Sequence, residues 1–130
     1  ESPFLHFKRK HPNDYNYTRV TIIGASIGAN TAALLLDRNW VQRVVLLSPG
    51  RDYRGLQPEK VMISGTTAPN KPVYIAVTGD DTYSAESSLW LFDHYTGPKV
   101  LKKYPGQDHG TDILLNVKGA DQELLDWLKK

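Results

Sequence analysis

Gly24-Ala25-Ser26-Ile27-Gly28 constrains this chain more than any other stretch of it. It follows Arg19-Val-Thr-Ile-Ile23, a β-branched run that reads as a buried strand. Ahead of it lies Asn30 to Asp37, Asn-Thr-Ala-Ala-Leu-Leu-Leu-Asp, rich in good helix formers. The chain must therefore pass from strand to helix within a few residues, with the helix beginning near Ser26. In so tight a turn the neighbours on either side of the serine crowd one another, so side chains there would clash, and the two glycines remove them. The turn lifts the serine hydroxyl clear of the sheet and aims the first N–H groups of the helix past it.

The rest of the chain repeats the alternation of strand and helix. Arg43 to Leu47 reads as a second buried strand, closed by Ser48-Pro49-Gly50. Val73 to Val77 is a third, closed by Thr78-Gly79-Asp80-Asp81, and Lys99 to Tyr104 a fourth, ended by Pro105-Gly106. Ser84 to His94 reads as a helix with Ser84 as N-cap and Gly97-Pro98 as its stop. Asp121 to Lys130 is an amphipathic terminal helix whose end charges suit its dipole. The connection from Gly50 to Lys71 has room for one short helix. Before the first strand, Phe4, Leu5 and Phe7 form one apolar helical face, and Asn13-Asp14 follows as a turn. Such alternation predicts a parallel sheet with right-handed crossovers. At 130 residues, residues 1–130 are expected to form one α/β domain.

Composition closes several other routes. With 40% apolar and 23% charged residues the chain is globular in make-up. Sixteen Lys and Arg against fourteen Asp and Glu leave +2, too little to point to a nucleic-acid partner. There is no cysteine, which removes disulfides, thiolate metal sites and a cysteine nucleophile. Apolar runs of four or five residues fall far short of the roughly 20 a membrane helix needs, so no membrane span is expected. No signal peptide is visible, and localisation is left open.

A raised serine at a helix N-terminus is a nucleophile only if a base and an orienting acid reach it. His6 and His11 lie in the N-terminal segment, His11 on a solvated basic run, and His94 sits on a helix in a packing role. His109 lies in Gly106-Gln-Asp-His-Gly110, a loop beyond the last strand and therefore at the C-terminal sheet edge where parallel sheets gather their sites. Three acids stand open as its partner: Asp81 and Asp80 after the third strand, and Asp52 after the second. Either of the first two could instead cap the helix that follows. Chain order Ser26, Asp, His109 puts each group past the end of a strand. The Ile27 N–H is the candidate donor to an oxyanion, and Tyr53 and Trp90 are candidate walls of a substrate pocket.

Four motifs in this order, Ile22-Ile-Gly-Ala-Ser-Ile-Gly-Ala-Asn30, Leu47-Ser-Pro-Gly-Arg-Asp-Tyr-Arg-Gly-Leu56, Gly79-Asp-Asp-Thr-Tyr-Ser84 and Tyr104-Pro-Gly-Gln-Asp-His-Gly-Thr-Asp112, resemble the α/β-hydrolase superfamily. The similarity is to its small dienelactone-hydrolase-like and esterase or lipase branches, and it runs from Val20 to the C-terminus. It implies a reduced α/β-hydrolase fold, a mostly parallel sheet of about four strands with flanking helices. It also implies Ser26 as nucleophile, His109 as base and, from the Asp-Thr-Tyr-Ser wording, Asp81 as acid. The expected activity is hydrolysis of small-molecule esters of short to medium acyl chains through an acyl-enzyme, with no cofactor and no metal.

The sequence departs from the family ahead of Ser26, where about eighteen residues stand in place of several strands. The earlier loop that supplies a second oxyanion N–H, often marked His-Gly, is missing from that segment; the only His-Gly is His109-Gly110. Either residues 1–18 or a second chain is expected to provide that donor. The same reduction exposes one side of the first strand, which predicts a homodimer covering the edge. Two rival readings stand beside the esterase. One is a hydrolase-fold binding module that has lost activity. The other is a Rossmann-like nucleotide binder, against which Ser26 replaces the middle glycine of the fingerprint and the next strand ends in Leu47-Ser48 rather than an acid. Tyr95-Thr-Gly-Pro-Lys99 matches a dehydrogenase spacing, but Gly97-Pro98 breaks the helix it would need.

Overall fold

The β-branched and leucine runs form four strands, β1 (Val20–Ala25), β2 (Val41–Leu47), β3 (Val73–Thr78) and β4 (Lys99–Tyr104), in a computed structural model that describes residues 20–64 and 70–130. The expected helical face at Phe4, Leu5 and Phe7, the turn at Asn13-Asp14, His6, His11 and part of the 50–71 connection lie outside the described residues. All four strands are parallel and stand in chain order β1-β2-β3-β4. A sheet that grows in one direction by right-handed crossovers must carry its connecting helices on one face. That is where α1 (Ile27–Leu34), α2 (Glu59–Met62) and α3 (Thr82–His94) lie. The short α4 (Asp112–Asn116) follows β4, and α5 (Ala120–Leu128) covers the opposite face.

The period of two along β2 and β3 divides the core between these layers. Val44, Leu46, Val73 and Ile75 pack with Ala29, Ala32, Ala33, Met62 and Leu91 on the α1–α3 side. Val45, Leu47, Tyr74 and Ala76 pack with Leu124 of α5 and the Trp127 ring on the other. Both faces of the central strands are therefore buried, which is why their sequences are nearly continuous in apolar residues rather than alternating. Arg43 of β2 ties down the end of α5. Its guanidinium donates to Leu128 O at 2.6 Å and Trp127 O at 3.3 Å, and its Nε to Thr21 Oγ1 at 2.8 Å. Carbonyls in a helix's last turn lack intrahelical partners; Arg43 caps Leu128 O and shares Trp127 O with Lys130 N, which donates to it at 3.2 Å.

One helix start differs from the sequence reading by two residues. Helix α3 begins at Thr82, so Ser84 is not its N-cap but a fully buried residue of its first turn. Asp81 takes the N-cap position instead. At its other end Tyr95 has already left the helix with extended backbone, and its hydroxyl donates to Lys71 O. Lys99, in β4, turns its ammonium to Phe92 O, so the dehydrogenase-like spacing brings no paired side chains together. Among the described residues β1 is an edge strand, and Ile23 on it is half exposed. Among the described residues no helix is long and apolar enough to cross a membrane.

Candidate active site

The strand-to-helix turn is as tight as the sequence demanded. Ser26 carries φ 57° and ψ −122°, a left-handed conformation that costs a residue with a Cβ about 1–3 kcal/mol. The surroundings hold it there: Ser26 N donates to Leu47 O at 2.8 Å, and Ser26 O accepts from Ala29 N at 3.0 Å. Gly24 is the steric key. A Cβ on it would stand 2.1 Å from Gly28 O and 2.5 Å from Gly28 C, because the first turn of α1 passes directly over the end of β1.

Gly28 corrects the expectation that both glycines yield space for their own missing side chains. Among the described residues, its chain neighbours and its own helix backbone aside, nothing lies within 4 Å of where its Cβ would be; it is the intruding backbone, not the intruded-upon position. Gly24→Ala should therefore destabilise by about 3 kcal/mol or more, through a clash with backbone that cannot swing away. Gly28→Ala, within the first turn of α1, should instead be neutral or stabilising by about 1 kcal/mol. Thermal unfolding of the two variants checks this: a loss of about 10 °C or more against a change of no more than a few degrees. Equal losses would contradict the packing described.

His109 arrives from the 106–110 loop, which the ends of two neighbouring strands, β2 and β3, fix through three hydrogen bonds. Thr78 Oγ1 donates to Asp108 O at 2.7 Å, Gly110 N donates to Ser48 Oγ at 2.8 Å, and Asp80 N donates to Gly106 O at 2.9 Å. Gly110 adopts φ +63°, and its Cβ site lies only 3.4 Å from the Ala25 Cβ, so the loop packs directly against the serine turn. The imidazole then spans two partners: Nε2 is 2.8 Å from Ser26 Oγ and Nδ1 is 2.5 Å from Asp81 Oδ2. A carboxylate can only accept, so the ring proton is on Nδ1, and Nε2 is left to accept from the serine hydroxyl. The Asp81 side chain is 19% exposed and that of His109 42%, so the pair has a closed end and an open end facing solvent.

Of the three candidate acids, Asp81 is the one that meets His109. It occupies the N-cap position of α3 without making a side-chain cap bond, because its carboxylate is turned to the imidazole. It still sits at the positive end of a 13-residue helix, which favours its charge. Asp80 contributes to the loop through its backbone N–H. Asp52 is spent on its own turn: Gln57 Nε2 donates to Oδ2 at 2.8 Å and Gly55 N to Oδ1 at 2.7 Å. Those two bonds, Gln57 first, hold its carboxyl below the usual range.

An open cleft of about 390 Å³ lies over the serine, lined by Ser26, Ile27, Tyr53 and Arg54. Ile27 is the first residue of α1, so its N–H has no acceptor within the helix and is free to meet a ligand. Tyr53 stands where the sequence reading put it, in the wall. Burial pushes its phenol up, and its hydroxyl shares a 2.7 Å bond with Ser84 Oγ. Trp90 does not line this cleft. Its place on α3 turns it to the larger core cluster, where the Arg51 guanidinium lies 3.4 Å from the ring centroid and the His94 ring stacks at 4.0 Å.

Sequence reasoning missed Arg54 and the residues that hold the site from behind. Asn30 is fully buried in α1; its Nδ2 donates to Gly50 O and Leu56 O, both at 2.9 Å, and its Oδ1 accepts from Gly50 N at 3.0 Å. It thereby fastens the loop that carries Tyr53 and Arg54 to the helix that carries Ser26. A lone asparagine among alanines and leucines was the available signal. Ser48 and Thr78, which hold the histidine loop, left none.

No protein-family model matches the chain, and no curated protein does either. Among solved structures it is similar to a carboxylesterase of Bacillus cereus, with a TM-score of 0.66 and 22% identity over 94% of this chain and 53% of that one. It is also similar to an acetyl ester-xyloside bifunctional hydrolase from Caldicellulosiruptor lactoaceticus, with a TM-score of 0.66 and 18% identity over 97% of this chain and 62% of the other. The chain thus spans between half and two-thirds of the length of these two neighbours. The likeness is one of fold. A four-stranded parallel sheet with flanking helices is what the sequence led us to expect.

Proposed function

We propose that this chain is a serine hydrolase of carboxylic esters with short to medium acyl chains. The observation that carries the reading is the continuous hydrogen-bonded path from Asp81 through His109 to a serine held in a strained turn at a helix N-terminus. Ser26 Oγ attacks the ester carbonyl while His109 Nε2 takes its proton, and Asp81 holds the ring and offsets the charge it gains. The oxyanion forms against the Ile27 N–H. His109 then returns the proton to the departing alcohol, leaving Ser26 acylated. Water, deprotonated by the same imidazole, cleaves the acyl-enzyme and restores the serine. No cofactor enters these steps. The open cleft over Ser26 favours small esters over substrates that need an interface.

The fold neighbours support the reading, since one is described as a carboxylesterase and the other as an acetyl ester hydrolase. A homodimer belongs to the same proposal: a second copy would cover half-exposed Ile23 and the side of β1 that is unpaired among the described residues, and either that copy or residues 1–18 would complete the oxyanion site. A fully active monomer at micromolar concentration in light scattering would overturn that part. For the activity, p-nitrophenyl acetate, butyrate and longer esters should be hydrolysed, fastest for the shorter chains, and a fluorophosphonate should label Ser26. A folded protein that neither turns over these esters nor takes the label would instead be a hydrolase-fold binding module.

A further inference from the structure

We infer that Arg54 makes the cleft selective for esters carrying a carboxylate, an inference that rests on the ester-hydrolase reading above. Among the described residues four line the cleft, and of these Arg54 brings a formal charge to it. Among the described residues it has no hydrogen bond, ion pair or ring contact. Arg43 and Arg51, by contrast, are each tied to several neighbours. The two carboxylates nearest in role are already committed, Asp52 to its turn and Asp81 to His109. Among the described residues the positive charge at the mouth of the cleft is therefore uncompensated.

The backbone beneath Arg54 is built rather than merely exposed. Tyr53 and Leu56 exchange both backbone hydrogen bonds, Tyr53 N to Leu56 O at 3.2 Å and Leu56 N to Tyr53 O at 3.0 Å. The two residues between them, Arg54 and Gly55, have φ +54° and +86°. This is a tight turn of the mirror-image type, in which asparagine, aspartate or glycine is favoured at the first central position and a long side chain is strained. The turn is braced on three sides. Asp52 accepts from Gly55 N, Asn30 holds Leu56 O, and the Tyr83 hydroxyl both accepts from Asp52 N and donates to Asp52 O. A strained arginine, on a braced turn, beside the serine, spends conformational energy to keep a guanidinium where a substrate would lie.

A guanidinium recognises a carboxylate through two parallel N–H···O bonds, whereas a neutral chain gains nothing from it. Half-exposed Ile27 and the Tyr53 ring supply the apolar surface for the few carbons between that carboxylate and the scissile carbonyl. Half-esters of short dicarboxylic acids, and acyl esters of small hydroxy acids, have this form.

The test compares wild type, Arg54→Gln and Arg54→Glu on two matched pairs. The first is mono-p-nitrophenyl glutarate against p-nitrophenyl valerate, with the charge on the acyl side. The second is 4-acetoxybenzoate against phenyl acetate, with the charge on the alcohol side. Each rate is corrected for spontaneous hydrolysis. For at least one pair the ratio of kcat/KM, anionic over neutral, should fall about fivefold to tenfold in Arg54→Gln and further in Arg54→Glu. The change should sit mainly in KM and shrink in 0.5 M salt, as a screened charge interaction must. Ratios equal within twofold across the three proteins for both pairs would overturn the inference while leaving the esterase standing. A folded wild type that hydrolyses none of the four esters would overturn the esterase reading and this inference together.

Discussion

Ser26→Ala should lower ester turnover by about 10⁵-fold to 10⁶-fold while leaving the fold intact. The size follows from what the hydroxyl does in the proposed mechanism, where it is the one atom that bonds to substrate carbon; His109 Nε2 stands 2.8 Å away. Stability should move by no more than a few degrees in melting temperature, because alanine is as strained as serine at φ 57° and the lost hydrogen bond lies on the solvent side of the site. Ser26→Gly sharpens the comparison. It would be equally inactive, yet it relieves the positive φ, and it should raise stability by about 1 kcal/mol. A serine whose removal by glycine stabilises the protein is one kept in its conformation for its reactivity. Turnover in either variant above about 1% of wild type, from protein purified free of the parent enzyme, would refute the assigned nucleophile.

What the sequence made legible, and what it hid, divides along one physical line. Local chemistry was readable. Gly24 announced a close backbone approach, the β-branched runs announced strands buried on both faces, and Gly106 and Gly110 bracketed a histidine in a shaped loop. Long-range pairing was not. Nothing in the sequence near Ser48 says that its hydroxyl will hold the N–H of Gly110, 62 residues away, nor near Asn30 that its amide will brace a turn 20 to 26 residues on. Trp90 shows the same limit from the other side. Its type suited a pocket wall, but which face of α3 meets the core is set by how the helix docks on the sheet, and that docking turned Trp90 to the core and to the Arg51 guanidinium.

Asp81 also carries the second large expected effect. Asp81→Asn replaces an acceptor pair with an amide of nearly the same shape, so its cost is electronic rather than steric. The amide can present its N–H₂ to His109, and the imidazole then keeps its proton on Nε2, where it can no longer accept from Ser26. Turnover should fall by about 10⁴-fold from the wrong tautomer and the lost charge. Stability should hardly change, since asparagine is as good an N-cap residue as aspartate and α3 draws no cap bond from this side chain now. Asp80→Asn and Asp52→Asn serve as the contrast, each expected to keep turnover within about threefold of wild type, because neither carboxylate meets the imidazole. All three aspartates lie past the end of a strand, and two are adjacent in sequence. If Asp80→Asn rather than Asp81→Asn carried the large loss, the orienting acid would be misassigned. If all three were mild, His109 would be working without an acid, and the hydrogen-bonded path on which the proposed function rests would not be the one the protein uses.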